Sequence, residues 1–339
     1  MIERVDGFIA RAGRRWTLAA VLTASALASG LVVDSQPSLA QHAGAAANPR
    51  CFGAAARDPR HPCENRRLAR SVVPRPSDAL LIPNAVCKTI EREGRSSFVG
   101  GLSVCEFGVK RERAVGTVAL VGDSHAMNRR APLEVVAQAK RWRALSITRS
   151  HCPLSRAVPE LPTADRRGCE KWNRTVTRWF GRHPEVPVVF VSEQARPLLA
   201  RRGPVAFAAQ VTGYRRAWRA LPRSVKHIVV LRDNPQITIR TCDCVRRAIA
   251  AHRSPGLACA LPRRRALLPD PAAVAAARSR SARVHLIDLT RFMCGRRVCY
   301  PVIGGVLVNK DQGHLTTLFA TTLGPFLLRE VDRLMSSWR

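Results

Sequence analysis

Five short apolar runs, rich in β-branched residues and separated by segments of helical pattern, constrain this chain more than any other feature. The runs are GTVALVG (116–122), ALSIT (144–148), VPVVFVS (186–192), HIVVLRD (227–233) and VHLIDL (284–289). Between them, residues 126–142, 170–182, 204–220 and 271–282 read as helices. Strands that alternate with helices predict an α/β fold with a parallel sheet covered on both faces. Ligands of such sheets bind beyond the carboxyl ends of the strands, where loops lead into helices. The run VALVG passes directly into Asp123, Ser124 and His125, so a serine stands at such an end. Gly122 permits a close turn there. The helix that follows aims its first N–H groups and positive dipole end at the serine oxygen. Backbone N–H groups near Ser124 and His125 are thereby candidates for holding a developing oxyanion.

A serine hydroxyl is a weak nucleophile and needs a base, which itself needs an orienting group. The stretch KDQGHLTTLFATTLGP (310–325) offers both, because Asp311 and His314 stand three apart just before an apolar helical segment. The chain order is Ser124, Asp311, His314. Each residue also has a plainer role: a helix-capping serine, a helix-leading acid, a surface histidine. His125, one position past the serine, points away from it and reads as a packing or hydrogen-bonding residue. Asn234, in LRDNP after a strand, is either an oxyanion donor or a turn residue before Pro235.

Composition and the N-terminus locate the protein. Arg11, Arg14 and Arg15 precede an uncharged, mostly apolar run from Trp16 to Val33, and Ser38-Leu39-Ala40 offers small residues for cleavage. Residues 1–40 are therefore an export signal, or an anchor if the 16–33 run is retained in the membrane. Eleven cysteines in local groups suit an oxidising compartment. The groups are Cys51/Cys63, Cys87/Cys105, Cys152/Cys169, Cys242/Cys244/Cys259 and Cys294/Cys299, which leaves either Cys242 or Cys244 as a free thiol. No C-x-x-C pair or Cys/His quartet has zinc spacing, so no metal is expected. Residues 41–115, rich in Pro, Gly and Ala, read as a disulfide-tied extension ahead of a domain at 116–339.

The formal net charge is +32, carried mostly by arginine. Such a charge favours polyanions, although a GC-rich codon bias produces the same enrichment. The arginines have no aromatic interleaving and no nucleic-acid motif, so nucleic acid is not an expected partner. Trp172, in CEKWN, reads as a core residue beside a Cys152–Cys169 bridge. Asn173 opens the sequon NRT inside a helix, where glycosylation is not expected.

Several segments together resemble the SGNH (GDSL-like) hydrolase family, in which GDS opens the domain and D-x-x-H closes it. They are CFGAAARDPRHPC (51–63), VALVGDSHA (118–126), CEKW (169–172), VVLRDNP (229–235) and IDLTRFMCGRRVCYPVIGGVLVNKDQGHL (287–315). More narrowly, they resemble the SGNH domain that follows the membrane domain of acyltransferase-3 proteins, which O-acylate bacterial surface polysaccharides. The resemblance implies a three-layer α/β/α, flavodoxin-like parallel sheet with Ser124 as nucleophile, His314 as base and Asp311 as orienting acid. It also implies an oxyanion hole drawn from Ser124 and Asn234, and no cofactor. The expected activity is that of an exported esterase or O-acyltransferase on acylated envelope glycan or glycolipid. With no multi-helix acyltransferase domain expected in this chain, a transferred acyl group would come from a separate membrane protein. Two other classes stay open: a catalytically silent glycan-binding module, and a basic protein retained on anionic envelope polymers.

Overall fold

The computed structural model describes residues 48–338 apart from 95, 158–159 and 197–202. The export or anchor segment expected at 1–40 lies outside the described residues. In chain order, β1 (Lys88–Glu93), β2 (Leu102–Gly108) and β3 (Gly116–Gly122) lead into α1 (Ser124–Lys140). Next come β4 (Trp142–Thr148), α2 (Thr163–Arg182), β5 (Val188–Ser192), α3 (Pro204–Ala220), β6 (His227–Leu231) and α4 (Thr241–Ala250). Short α5 (Pro255–Ala258), β7 (Leu261–Pro262) and α6 (Arg263–Ala266) precede α7 (Pro271–Ala277) and β8 (Val284–Ile287). The C-terminal part holds β9 (Val298–Cys299), β10 (Val302–Ile303), β11 (Val306–Leu307), α8 (Thr317–Thr322) and α9 (Gly324–Met335).

The main sheet has the order β1-β2-β4-β3-β5-β6-β8. From β4 to β8 every neighbouring pair is parallel. Counted among the parallel strands alone, the order is second, first, third, fourth, fifth, which is the flavodoxin-like arrangement. The winding reverses between β3 and β5. A crevice therefore opens beyond the carboxyl end of β3, where Ser124 begins α1.

Alternating residues of the strands face two helical layers. Val118, Leu120, Val188, Phe190, Val229 and Leu231 pack with Leu133, Val136, Phe319, Leu327 and Val331 of α1, α8 and α9. Ala119, Val121, Val189, Val191, Ile228 and Val230 pack with Trp172, Val176, Tyr214, Trp218 and Ala275 of α2, α3 and α7. Full burial on both faces explains why the parallel strands read as unbroken apolar runs.

The structure corrects the expected extension. The boundary expected at 115/116 falls inside one sheet, because β1 and β2 extend it antiparallel to β4. The sheet is accordingly mixed. β1 reads KTIERE and is largely exposed, as suits an edge strand whose charges discourage pairing with another chain. That composition hides it from a search for apolar runs. A disulfide from Cys87 to Cys105 ties its start to β2.

Gly122 sets the close approach of β3 to β5. Its φ is +149°, and a Cβ there would lie 2.1 Å from the Ser192 carbonyl oxygen. Neither backbone can yield without breaking the ladder that pairs Gly122 with Ser192. Gly122→Ala is expected to cost about 3 kcal/mol or more. A urea midpoint matching the native protein would refute this register.

Candidate active site

The turn from β3 into α1 is held by Asp123, which is 1 % exposed. One carboxylate oxygen accepts the His125 N–H at 2.8 Å and caps α1. The other accepts the Gln194 N–H at 2.9 Å, beyond the end of β5. The cap thus stitches two strand ends together and presents Ser124 at the first helical position. It also occupies the His125 N–H, which removes that group as the oxyanion donor considered above. The Ser124 N–H stands in the first turn of α1, where no intrahelical partner is available to it.

Ser124 Oγ lies 2.8 Å from His314 Nε2, and His314 Nδ1 lies 2.8 Å from Asp311 Oδ2. These three residues, 190 positions apart at the extremes, are thus in one hydrogen-bonded chain. Both side chains of the second contact are partly solvent-exposed, His314 at 29 % and Asp311 at 36 %. The other Asp311 oxygen accepts the backbone N–H groups of Gly313 (2.9 Å) and His314 (2.7 Å). Burial works against the Asp311 carboxylate, but the bonds from His314 and Gly313 prevail and hold it at about 2. It stays ionised wherever an imidazole titrates. With Nδ1–H donating to this carboxylate, Nε2 is left to accept the serine proton.

Residues 234–237 clasp this loop. Asn234 Nδ2 donates to the Gly313 carbonyl at 2.7 Å and to the Pro235 carbonyl at 3.4 Å. The Ile237 N–H donates to the Gln312 carbonyl, and Asn309 Nδ2 to the Pro235 carbonyl. Asn234 is 3 % exposed. Its firm bond to the Gly313 carbonyl makes Asn234, expected as an oxyanion donor, a holder of the loop that carries His314.

Sequence reasoning missed the acids beneath the site. Three strands end directly in an acid or one residue before it: Asp123 after β3, Glu193 after β5 and Asp233 after β6. All three are at most 2 % exposed, and Asp270 at 4 % joins them. Asp233 accepts from His125 Nδ1 at 2.6 Å and from the Asn234 and Ala195 N–H groups at 2.8 Å. Its own N–H donates to Asp270, which caps α7 through the Ala273 N–H. Glu193 accepts from the N–H groups of Leu154 and Asp123. Burial, with Asp123 close by, pushes Glu193 well above the usual carboxylate range. Burial and Asp233 bring Asp270 to about 6. Burial opposes charge on His125, yet Asp233 and Asp123 outweigh it and raise the imidazole to about 9. The layer thus sets four buried carboxyl groups, Asp123, Glu193, Asp233 and Asp270, around His125 and the fully buried Arg129. The recurring strand-end acids in VGD, VSE and LRD were a legible signal.

His125 bears the hydrogen-bonding role expected for it. Its ring also lies 4.9 Å from that of His314, centroid to centroid. A Cβ on Gly313 would come within 3.2 Å of His125 Nε2, so a larger residue there would require the ring to give by a few tenths of an ångström. Trp172 is fully buried in the second core layer. Asn173 is buried too, and its amide bonds the Pro153 and Cys169 carbonyls, which leaves no room for a glycan. Five disulfides close: Cys51–Cys63, Cys87–Cys105, Cys152–Cys169, Cys244–Cys259 and Cys294–Cys299. Cys242 is the free thiol. Among the described residues, no group of three or more His, Cys, Asp or Glu side chains is arranged to hold a metal ion. No helix among them is long and apolar enough to cross a membrane.

Fold and geometry together define a doubly wound α/β domain with a serine, histidine and aspartate converging at its topological switch point. The family model of the SGNH domain fused to AT3 domains matches residues 87–329, and the chain belongs to that family. No curated protein matches the sequence. Among solved structures, the chain is similar to the periplasmic domain of a lipopolysaccharide acetyltransferase from Salmonella ser. Paratyphi A. The two are 12% identical with a TM-score of 0.51, over 67% of this chain and 90% of that one. A fungal esterase from Rhizomucor miehei is also 12% identical, with a TM-score of 0.33 over 81% of this chain and 90% of the other.

Proposed function

We propose that this domain is an exported serine esterase or O-acyltransferase that acts on acyl esters, foremost acetyl esters, of cell-envelope polysaccharide. The observation that carries the reading is the pair of 2.8 Å contacts from Ser124 to His314 and from His314 to Asp311. His314 Nε2 takes the hydroxyl proton as Ser124 Oγ attacks the ester carbonyl, and the Ser124 N–H at the head of α1 faces the oxyanion. The leaving alcohol departs with the proton from His314, leaving an acyl-serine. Water then regenerates the enzyme as an esterase; a sugar hydroxyl makes it a transferase. Five disulfides support an oxidising compartment beyond the cytoplasm. The surface-glycan substrate class is supported by family membership and by the lipopolysaccharide acetyltransferase whose domain shares the fold.

An alkyl fluorophosphonate tests the nucleophile independently of substrate. The serine Oγ–P bond forms as fluoride leaves, and the expected adduct maps to the peptide containing Ser124. Folded protein that stays unlabelled, or is labelled equally as Ser124→Ala, would remove the reading.

A further inference from the structure

Beside the carboxyl ends of β6 and β8, two adjoining clefts of about 640 and 550 Å³ share Arg263 and Arg296 as walls. Together they are lined by six arginines, Arg232, Arg263, Arg264, Arg291, Arg296 and Arg297, and by a single acid, Asp288. Arg232 pairs with Asp288 at 2.7 Å and Arg291 with Glu330 at 2.6 Å. The other four have no ion-pair partner among the described residues. Three of these four, Arg264, Arg296 and Arg297, are exposed.

The cluster is built, not merely solvated. The Arg263 N–H donates to the Arg297 carbonyl, and Arg263 Nη1 to the Gly295 carbonyl at 3.2 Å. β7 pairs with β9, and the Cys294–Cys299 disulfide closes the turn that carries Arg296 and Arg297. Holding like charges together in this way is unfavourable in itself, and an anion seated among them reverses the sign. Planar guanidinium forks suit carboxylate and phosphate oxygens. Arg232, which lines one cleft, is the residue before Asp233, so the clefts open at the same end of the sheet as Ser124.

We infer that these arginine-lined clefts form an anion-binding groove that seats an acidic polysaccharide, presenting its esters to the strand ends. The inference rests on the esterase or acyltransferase reading for the presence of an ester. A glycan is favoured over nucleic acid because neither cleft is lined by an aromatic side chain on which bases could stack.

The test uses the full chain, made under oxidising conditions, with Ser124→Ala to separate binding from turnover. Binding is measured to polygalacturonate, to a poly(glycerol phosphate), to neutral dextran and to an oligothymidylate. Expected are salt-sensitive binding to at least one of the first two and none to dextran. The choice between those two identifies carboxylate or phosphate as the ligand. The triple variant Arg264→Gln/Arg296→Gln/Arg297→Gln should weaken binding about tenfold or more. Arg215→Gln/Arg216→Gln/Arg219→Gln, on the exposed face of α3, removes the same charge and should weaken it less than about twofold. Equal losses in the two folded triples would show that net charge alone acts, and stronger binding to the oligothymidylate would exclude a glycan groove. In the Ser124-containing protein the groove triple should leave hydrolysis of a small aryl acetate unchanged. If the native protein lacks that hydrolysis but binds the acidic polymer through these arginines, the groove stands and the esterase reading falls.

Discussion

Ser124→Ala is expected to lower aryl-acetate turnover by at least about a thousandfold. His314→Ala should cost a similar factor, and the double substitution should cost hardly more than either alone. Nucleophile and base act as one unit: once the proton acceptor is gone the hydroxyl is inert, and once the hydroxyl is gone the base has nothing to activate. Asp311→Asn should be milder, about tenfold to a hundredfold, because its carboxylate is 36 % exposed and water can take over part of the imidazole's orientation. At about 2, Asp311 releases its proton far below the range in which a histidine titrates. An acid limb of the rate profile in the neutral range therefore does not belong to Asp311 and should persist in Asp311→Asn. Steady-state kinetics of the three variants across pH check each of these points, and additive losses from Ser124→Ala and His314→Ala would break the unit apart.

The second large effect concerns stability. His125→Ala removes the buried cation that faces Asp233 and leaves a carboxylate that is 1 % exposed with backbone N–H partners alone. The expected loss is about 3–5 kcal/mol, much of it the penalty for an unpaired buried charge. The same pair imposes a pH dependence. The folded imidazole holds its proton to about 9, whereas the unfolded chain releases it near 6.5. Its contribution, on the order of 3 kcal/mol, is complete below pH 6.5, fades between 6.5 and 9 and is gone above. Asp270, raised to about 6, acts in the same sense at lower pH: its contribution is complete below the ordinary carboxyl value of 3.8 and is gone above about 6. Urea midpoints should accordingly decline from mildly acidic to alkaline pH. In a folded double variant, His125→Asn/Asp233→Asn, the decline above pH 6.5 should flatten, and an unchanged decline there would show that another group causes it.

Much of the architecture was legible because it is written locally. Strands buried on both faces must be apolar throughout, so β3, β5 and β6 stand out in the sequence, and α3 begins and ends as its pattern predicts. Other boundaries moved for local reasons. α1 starts at Ser124 because Asp123 caps it, and α2 begins at Thr163 because its first turns are too polar to read as core. The edge strand β1 was invisible, since a strand with one open edge and an exposed face needs no apolar run.

The sequence by itself determined the alternation that dictates a parallel sheet, the local grouping of the cysteines, with the choice between Cys242 and Cys244 left open, and the candidacy of Ser124, Asp311 and His314. Each of these depends on spacing along the chain or on a strand running into a helix. Tertiary structure alone decided which donors remain for an oxyanion, because the partners of Asn234 and of the His125 N–H come from distant or turn-specific geometry. It alone decided that acids ending three separate strands meet in one buried layer, and that two arginine-rich loops share one groove. The physical reason is the same in each case. Desolvation and charge coupling depend on which groups are neighbours in space, and the winding of the sheet sets those neighbours.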